Sequence, residues 1–206
     1  MNRKNCLRIS LIILISLCWL PGKSQNKILL INGKVIEAET YSIGDLFVTY
    51  KKAGDSRSTP RAVDRYDVFS VIRRDSTEEI VYTPDSLDFT LEEARSYIKG
   101  EQIALAYYRR PSTSISSAIL GAGSSILSFY ALPVPFLYGV ILSRFNPKPS
   151  KFQLPENMDR AIVNDEPFKL GYQKAARNLK IQKSLKWGYI GLGVGLTTLI
   201  IYGANH

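Results

Sequence analysis

The stretch that decides the fold is Pro111–Ser143, PSTSISSAILGAGSSILSFYALPVPFLYGVILS, 33 residues without one charged side chain. Arg109 and Arg110 precede it and Arg144 follows it. A helix rises about 1.5 Å per residue and a bilayer core is about 30 Å thick, so about 20 residues span it. Pro133 and Pro135 interrupt the run, because proline lacks the amide that a helix interior needs. The pattern predicts a span over 113–132 and a short helix over 134–143. Ten residues reach only half a bilayer. That second piece therefore lies in the interface, returns toward its origin, or extends the span after a kink.

A second apolar run, Trp187–Gly203, closes the chain, with Trp187 and Tyr202 as interfacial anchors at its ends. Small residues recur at four-residue spacing in both runs. Ser117, Gly121 and Ser125 share one face, Ala118 and Ala122 another, and Gly191 and Gly195 repeat the spacing in the second run. In lipid, such spacing lets helix backbones approach closely. Ser117, Gly121, Ser125, Gly191 and Gly195 are thus the candidate helix-packing residues. The alternative is that glycine and serine are simply common in membrane helices. There is also an internal echo: Gly100 and Ala104 precede Gly121-Ala122-Gly123, as Gly171 and Ala175 precede Gly193-Val194-Gly195. It is read as duplication or as chance.

Outward from these runs the chain divides into short blocks. Residues 1–25 resemble a secretory signal peptide, with Arg3, Lys4 and Arg8 before an apolar core, Ile9–Leu20, and a helix-breaking Pro21-Gly22 after it. Cys6 and Cys18 both lie there, so a processed chain holds no disulfide and no thiolate metal site. Residues 26–88 read as a small β-domain. Lys27–Ile31 and Lys34–Tyr41 flank Asn32-Gly33, which favours a type I′ hairpin. Leu46–Lys51, Val68–Arg73 and Glu79–Tyr82 are further strands, and Arg61–Tyr66 fits one helical turn. This alternation of strand and tight turn suggests a small antiparallel sheet or an SH3/Sm-like barrel. Residues 89–110 form an amphipathic juxtamembrane helix opened by a capping box, Thr90 to Glu93. Residues 144–186 form a basic connector, rich in proline to Pro167, that becomes helical from Phe168 and runs into the second transmembrane helix, 187–203.

Charge follows the same blocks. The net charge of +9 includes four basic residues in 1–25; residues 26–88 carry nine basic and eleven acidic side chains, and residues 144–186 ten and four. A basic loop beside an acidic β-domain is a poor footprint for nucleic acid. The only histidine is His206, so histidine-based catalysis and histidine metal sites are not expected. No glycine-rich phosphate loop follows a strand. Glu78-Glu79 and Glu92-Glu93 read as a solvated strand edge and a helix start. Catalytic, cofactor-binding and metal residues are therefore all read as none, and the protein is not expected to be an enzyme.

One resemblance joins these blocks. Gly100, Ala104, Tyr107 and Tyr108 lead into one glycine-rich apolar run, and Gly171, Tyr172, Ala176 and Arg177 lead into another, behind an Asn-Gly hairpin domain. This resembles a group of uncharacterised Gram-negative exported membrane proteins. Ile103 stands where such proteins often carry an acid. The resemblance implies a layout and no activity.

The chain is thus expected to be an α+β membrane protein, a small β-domain followed by long helices with two transmembrane segments. Its role is a binding or assembly module of the bacterial envelope; the alternative is a subunit of an oligomeric membrane enzyme or transporter complex. Partners are membrane lipid, another copy of the chain through the glycine faces, and an envelope protein, with no nucleic acid. The β-domain is expected in the periplasm at the inner membrane, with the outer membrane as the other location. The positive-inside rule places the 144–186 connector in the cytoplasm; a hairpin at Pro133 would keep it outside.

Overall fold

A computed structural model describes residues 25–54, 59–85 and 89–204. The signal peptide expected over 1–25 lies almost wholly outside the described residues. The fold is α+β: a six-stranded antiparallel sheet followed by helices. The strands are β1 (Asn26–Leu30), β2 (Val35–Ile43), β3 (Phe47–Lys52), β4 (Arg61–Asp64), β5 (Val68–Ile72) and β6 (Glu78–Ile80). They run in the order β4-β3-β2-β1-β5-β6. Four strands form a meander, and β5 crosses back to pair with β1.

Two local expectations change. A type I′ turn needs positive φ at both central residues, but in the β1–β2 loop only Gly33 has it, at 72°. The loop is instead a turn from Leu30 closed by a left-handed glycine, with the Asn32 side chain accepting from the Lys34 amide at 3.1 Å. Arg61–Tyr66 is not a helical turn. Val63 pairs with Val48, a fully buried residue, so residues 61–64 are drawn into the sheet as β4. The helical tendency survives one step later as a 3-10 turn, Arg65–Asp67, capped by Asp64 accepting from the Tyr66 amide at 2.9 Å.

The sheet curls around one core. Ile28, Ala38, Val48, Val68 and Val71 are fully buried, and Val63 of β4 and Val81 just beyond β6 join them. β5 is buried on both faces, because Phe69 points away from that core to meet Ala94, Tyr97 and Ile98 of the first helix. That contact ties the β-domain to everything that follows.

The helices are α1 (Leu91–Tyr107), α2 (Pro111–Ser124), α3 (Val134–Ser143) and α4 (Glu166–Ala204). In α1, Thr90 and Glu93 form the full reciprocal capping box. Pro111 starts α2 at the position where a missing amide costs nothing. The 33-residue run does not yield a helix long enough to span. It breaks at Ser125–Ala131 into 3-10 turns, where Ser124 and Ser125 hydroxyls back-bond to the carbonyls of Gly121 and Ala122, and Pro133 and Pro135 follow. Among the described residues only α4, 39 residues long, is long and apolar enough to cross a membrane. One candidate span thus replaces the expected two.

Candidate functional site

α4 is the spine, and α1 and α2 lie along it one after the other in the same direction. Across that interface Tyr97 faces Gly171, Ala104 packs near Ala175, the Ser117 and Ser184 hydroxyls lie 3.1 Å apart, and Ser125 faces Gly195. The close approaches are reciprocal. A Cβ on Gly100 would overlap the Phe168 carbonyl, three residues before Gly171, and a Cβ on Gly171 would overlap the Tyr97 carbonyl, three residues before Gly100. Gly121 and Gly191 repeat this relation through the carbonyls of Gly188 and Ala118. An offset of minus three on both sides, at two crossings, is an approximate two-fold axis relating α1–α2 to α4. The internal echo in the sequence coincides with this axis, although the true partners are Gly121 and Gly191 rather than Gly123 and Gly195. A Cβ at Gly123 or Gly193 would meet nothing within 4 Å.

All five candidate packing residues fall on the α2–α4 interface. Ser117 and Ser125 are 1% and 2% exposed, Gly121 and Gly191 are buried, and Gly195 is half-buried against Ser125 and Ala122. Gly100, Gly171 and Gly188 complete the same seam; Gly188 receives Pro135, whose ring a Cβ there would meet at 2.7 Å.

α3 runs back along α4. Tyr189 donates to the Leu132 carbonyl at 3.3 Å, Pro135 covers Gly188, Gly139 faces Ile181 and Leu185, and Lys180 donates to the Phe145 carbonyl. Partner numbers on α4 fall as those on α3 rise, so the two helices are antiparallel. Tyr138 closes the hairpin by donating to Ser116 of α2 at 3.0 Å. Both ends of the uncharged run therefore lie at the β-domain end of α4. The connector stays there too: Phe152 stacks on Tyr172 at 3.9 Å, and Gln153 bonds both Tyr172 and Arg109. A connector across a bilayer from residues 26–110 is incompatible with these contacts. The uncharged run folds back on itself, with one candidate span in place of two, which is the geometry of the hairpin alternative.

The outer surface of the hairpin and of the C-terminal half of α4 is apolar and uncovered. Ile119, Ile126, Tyr130 and Ile200 are 68%, 76%, 86% and 71% exposed, and Phe136, Leu137, Ile141 and Val194 join them. Water-soluble proteins rarely show contiguous apolar patches beyond a few hundred Å². Trp187 and Tyr202 are exposed at the two ends of this surface on α4. Below it stands a basic level. Burial first, then the Arg110 charge, lowers the pKa of Lys180. Arg144 adjoins the Phe145 carbonyl that Lys180 reaches, and Lys183 and Lys186 follow up the helix.

The junction with the β-domain holds one buried acid. Glu101 is 2% exposed; its Oε1 accepts from Tyr97 at 3.2 Å and lies 3.7 Å from the Lys174 ammonium, while Oε2 has no partner. Burial raises its pKa, and Lys174 and Tyr97 only partly offset that. The β1–β2 turn sits directly on it, since a Cβ on Gly33 would lie 2.9 Å from the Glu101 Cβ. Glu101 was given no role from sequence. The signal was there: it occupies the buried stripe Ala94, Tyr97, Ile98, Glu101, Ala104 of an amphipathic helix.

The β-domain carries a groove of about 720 Å³ lined by Ile31, Asp45, Arg65, Tyr66, Tyr82 and Phe89, among others. Among the described residues no three His, Cys, Asp or Glu side chains gather to hold a metal. No protein-family model matches the chain, and no curated protein or solved structure matches it either.

Proposed function

We propose that this chain is an exported, membrane-anchored protein of the bacterial envelope whose β-domain is a binding or assembly module, acting by contact rather than catalysis. One observation carries the reading: the apolar hairpin and the C-terminal half of α4 form a continuous uncovered surface that water would penalise and lipid would not. α4 crosses once. From Lys186 to Ala204 it rises about 27 Å, close to a bilayer core. The hairpin enters from the β-domain side and turns back. Its broken backbone is tolerated there because Ser124, Ser125 and Tyr189 supply side-chain hydrogen bonds to carbonyls around the break.

The β-domain then stands at the membrane surface, held by Phe69 on α1. Its sheet, a curled meander whose fifth strand returns to the first, supports the finer reading of an SH3/Sm-like barrel. The aromatic groove at Tyr66, Tyr82 and Phe89 is the surface on which an envelope partner would dock. The test is fractionation. The full chain should stay with membranes through alkaline carbonate and leave in detergent, and a photo-reactive residue at Tyr66 should give a discrete protein adduct in cells. Release by carbonate alone overturns the anchor, and the absence of any adduct overturns the module.

A further inference from the structure

We infer that the basic level at the foot of the hairpin is a docking surface for the phosphates of anionic lipid headgroups, in the leaflet that faces the β-domain. The inference rests on the membrane-anchor reading and adds a partner to it.

The argument is charge complementarity without an internal counter-charge. Residues 102–155 and 167–206 contain no aspartate or glutamate, yet they contain eleven lysines and arginines. These two segments supply the whole hairpin, its flanks and nearly all of α4. Among the described residues, only Lys169 and Lys174 of the eleven are ion-paired, with Glu166 and Glu101, well down toward the β-domain. Among the described residues no carboxylate pairs with Arg109, Arg110, Arg144, Lys180, Lys183 or Lys186. The fold brings these six together, because the hairpin returns Arg144 to the level of Arg110 and of Lys180, which is itself buried with its ammonium on the Phe145 carbonyl and leaves the other five to face outward. They lie where the uncovered apolar surface begins, just before Trp187 on α4 and beside both ends of the uncharged run. Like charges clustered at a low-dielectric boundary repel one another, external anions relieve that repulsion, and phosphodiester headgroups are the anions a bilayer supplies there. Each such cation favours an anionic surface, and the effect is screened by salt.

The hairpin topology strengthens the case. In the orientation implied by an N-terminal export signal, the six cations face away from the cytoplasm, where the positive-inside rule gives them no purpose. Binding headgroups gives them one.

The test uses the full chain reconstituted in phosphatidylcholine containing trace spin-labelled lipid, either phosphatidylglycerol or phosphatidylcholine. Electron paramagnetic resonance reads the fraction of label immobilised on the protein. We expect phosphatidylglycerol to be preferred at least about threefold at low salt, falling toward onefold at high salt. The triple variant Arg144→Gln/Lys183→Gln/Lys186→Gln should abolish the preference while keeping its melting temperature in detergent. Lys183→Arg/Lys186→Arg should retain it. Immobilised lipid with no preference, or a preference the triple variant keeps, overturns the headgroup site and leaves the anchor standing. No immobilised lipid of either kind overturns both.

Discussion

The Gln153 side chain brackets the backbone of Arg109. Its Oε1 accepts from the Arg109 amide at 2.6 Å, and its Nε2 donates to the Arg109 carbonyl at 3.1 Å. Between these residues the chain travels the entire uncharged run and comes back. That pair fixes the connector beside the end of α1, together with the Gln153 backbone amide, which donates to the Tyr172 hydroxyl at 2.9 Å, and the stack of Phe152 on the Tyr172 ring.

Single cysteines, with Cys6 and Cys18 absent or replaced, read this directly. Lys52→Cys and Ser150→Cys should share one accessibility to an impermeant maleimide in spheroplasts, and Ala204→Cys should have the opposite one. Labelling that separates Ser150→Cys from Lys52→Cys restores the two-span topology.

The glycine seam separates packing from composition. Gly100→Ala and Gly121→Ala each place a methyl onto a backbone carbonyl of α4, so each should destabilise by about 1–3 kcal/mol. Gly123→Ala and Gly193→Ala meet open space and should be neutral or stabilising by up to about 1 kcal/mol. Thermal melts in detergent check all four; equal effects across them would reduce the seam to composition.

The Glu101 carboxyl makes stability depend on pH. Its folded pKa is raised, by burial first, so the unfolded chain ionises before the folded one. The contribution is present below the unfolded value and is lost as pH rises through the folded value. Glu101→Gln should flatten that slope in a melt series from pH 4 upward. Lys174→Met removes the cation 3.7 Å away and should steepen it. Its cost at pH 7 is about 1–2 kcal/mol, below that of a fully buried pair because the Lys174 side chain is 47% exposed. An unchanged slope in both variants would show that Glu101 does not titrate in this range.

Gly33→Ala should loosen the β-domain from the helices. It combines a left-handed backbone, φ 72°, with a clash on Glu101 and on the Gln102 amide at 3.1 Å. A loss of about 1–3 kcal/mol is expected, together with faster amide exchange at the turn and in α1. Exchange that stays native in α1 would show that the turn does not brace the helix.

The N-terminal signal and the connector charge, which agree for a two-span chain, disagree for a hairpin. Positive-inside reasoning counts charges along the chain and assumes that each apolar run crosses. Here the first run folds back on itself, because Ser124, Ser125, Pro133 and Pro135 break it within twelve residues and Tyr138 locks the return onto Ser116.

What the sequence determined by itself was local. Strand alternation, the Thr90 capping box, the unbroken run from Phe168 through Tyr202 and the small-residue spacing at Ser117, Gly121 and Gly191 are all written in neighbours a few residues apart. Only the tertiary structure decided the rest. Val63 became a strand because Val48 needed a partner, a requirement from another part of the sheet. Glu101 became a buried junction because a turn some seventy residues earlier and a helix some seventy residues later close over it. The direction of the hairpin was set by bonds such as Gln153 to Arg109. These link residues far apart in sequence, and nothing in the pattern of either one announces the other.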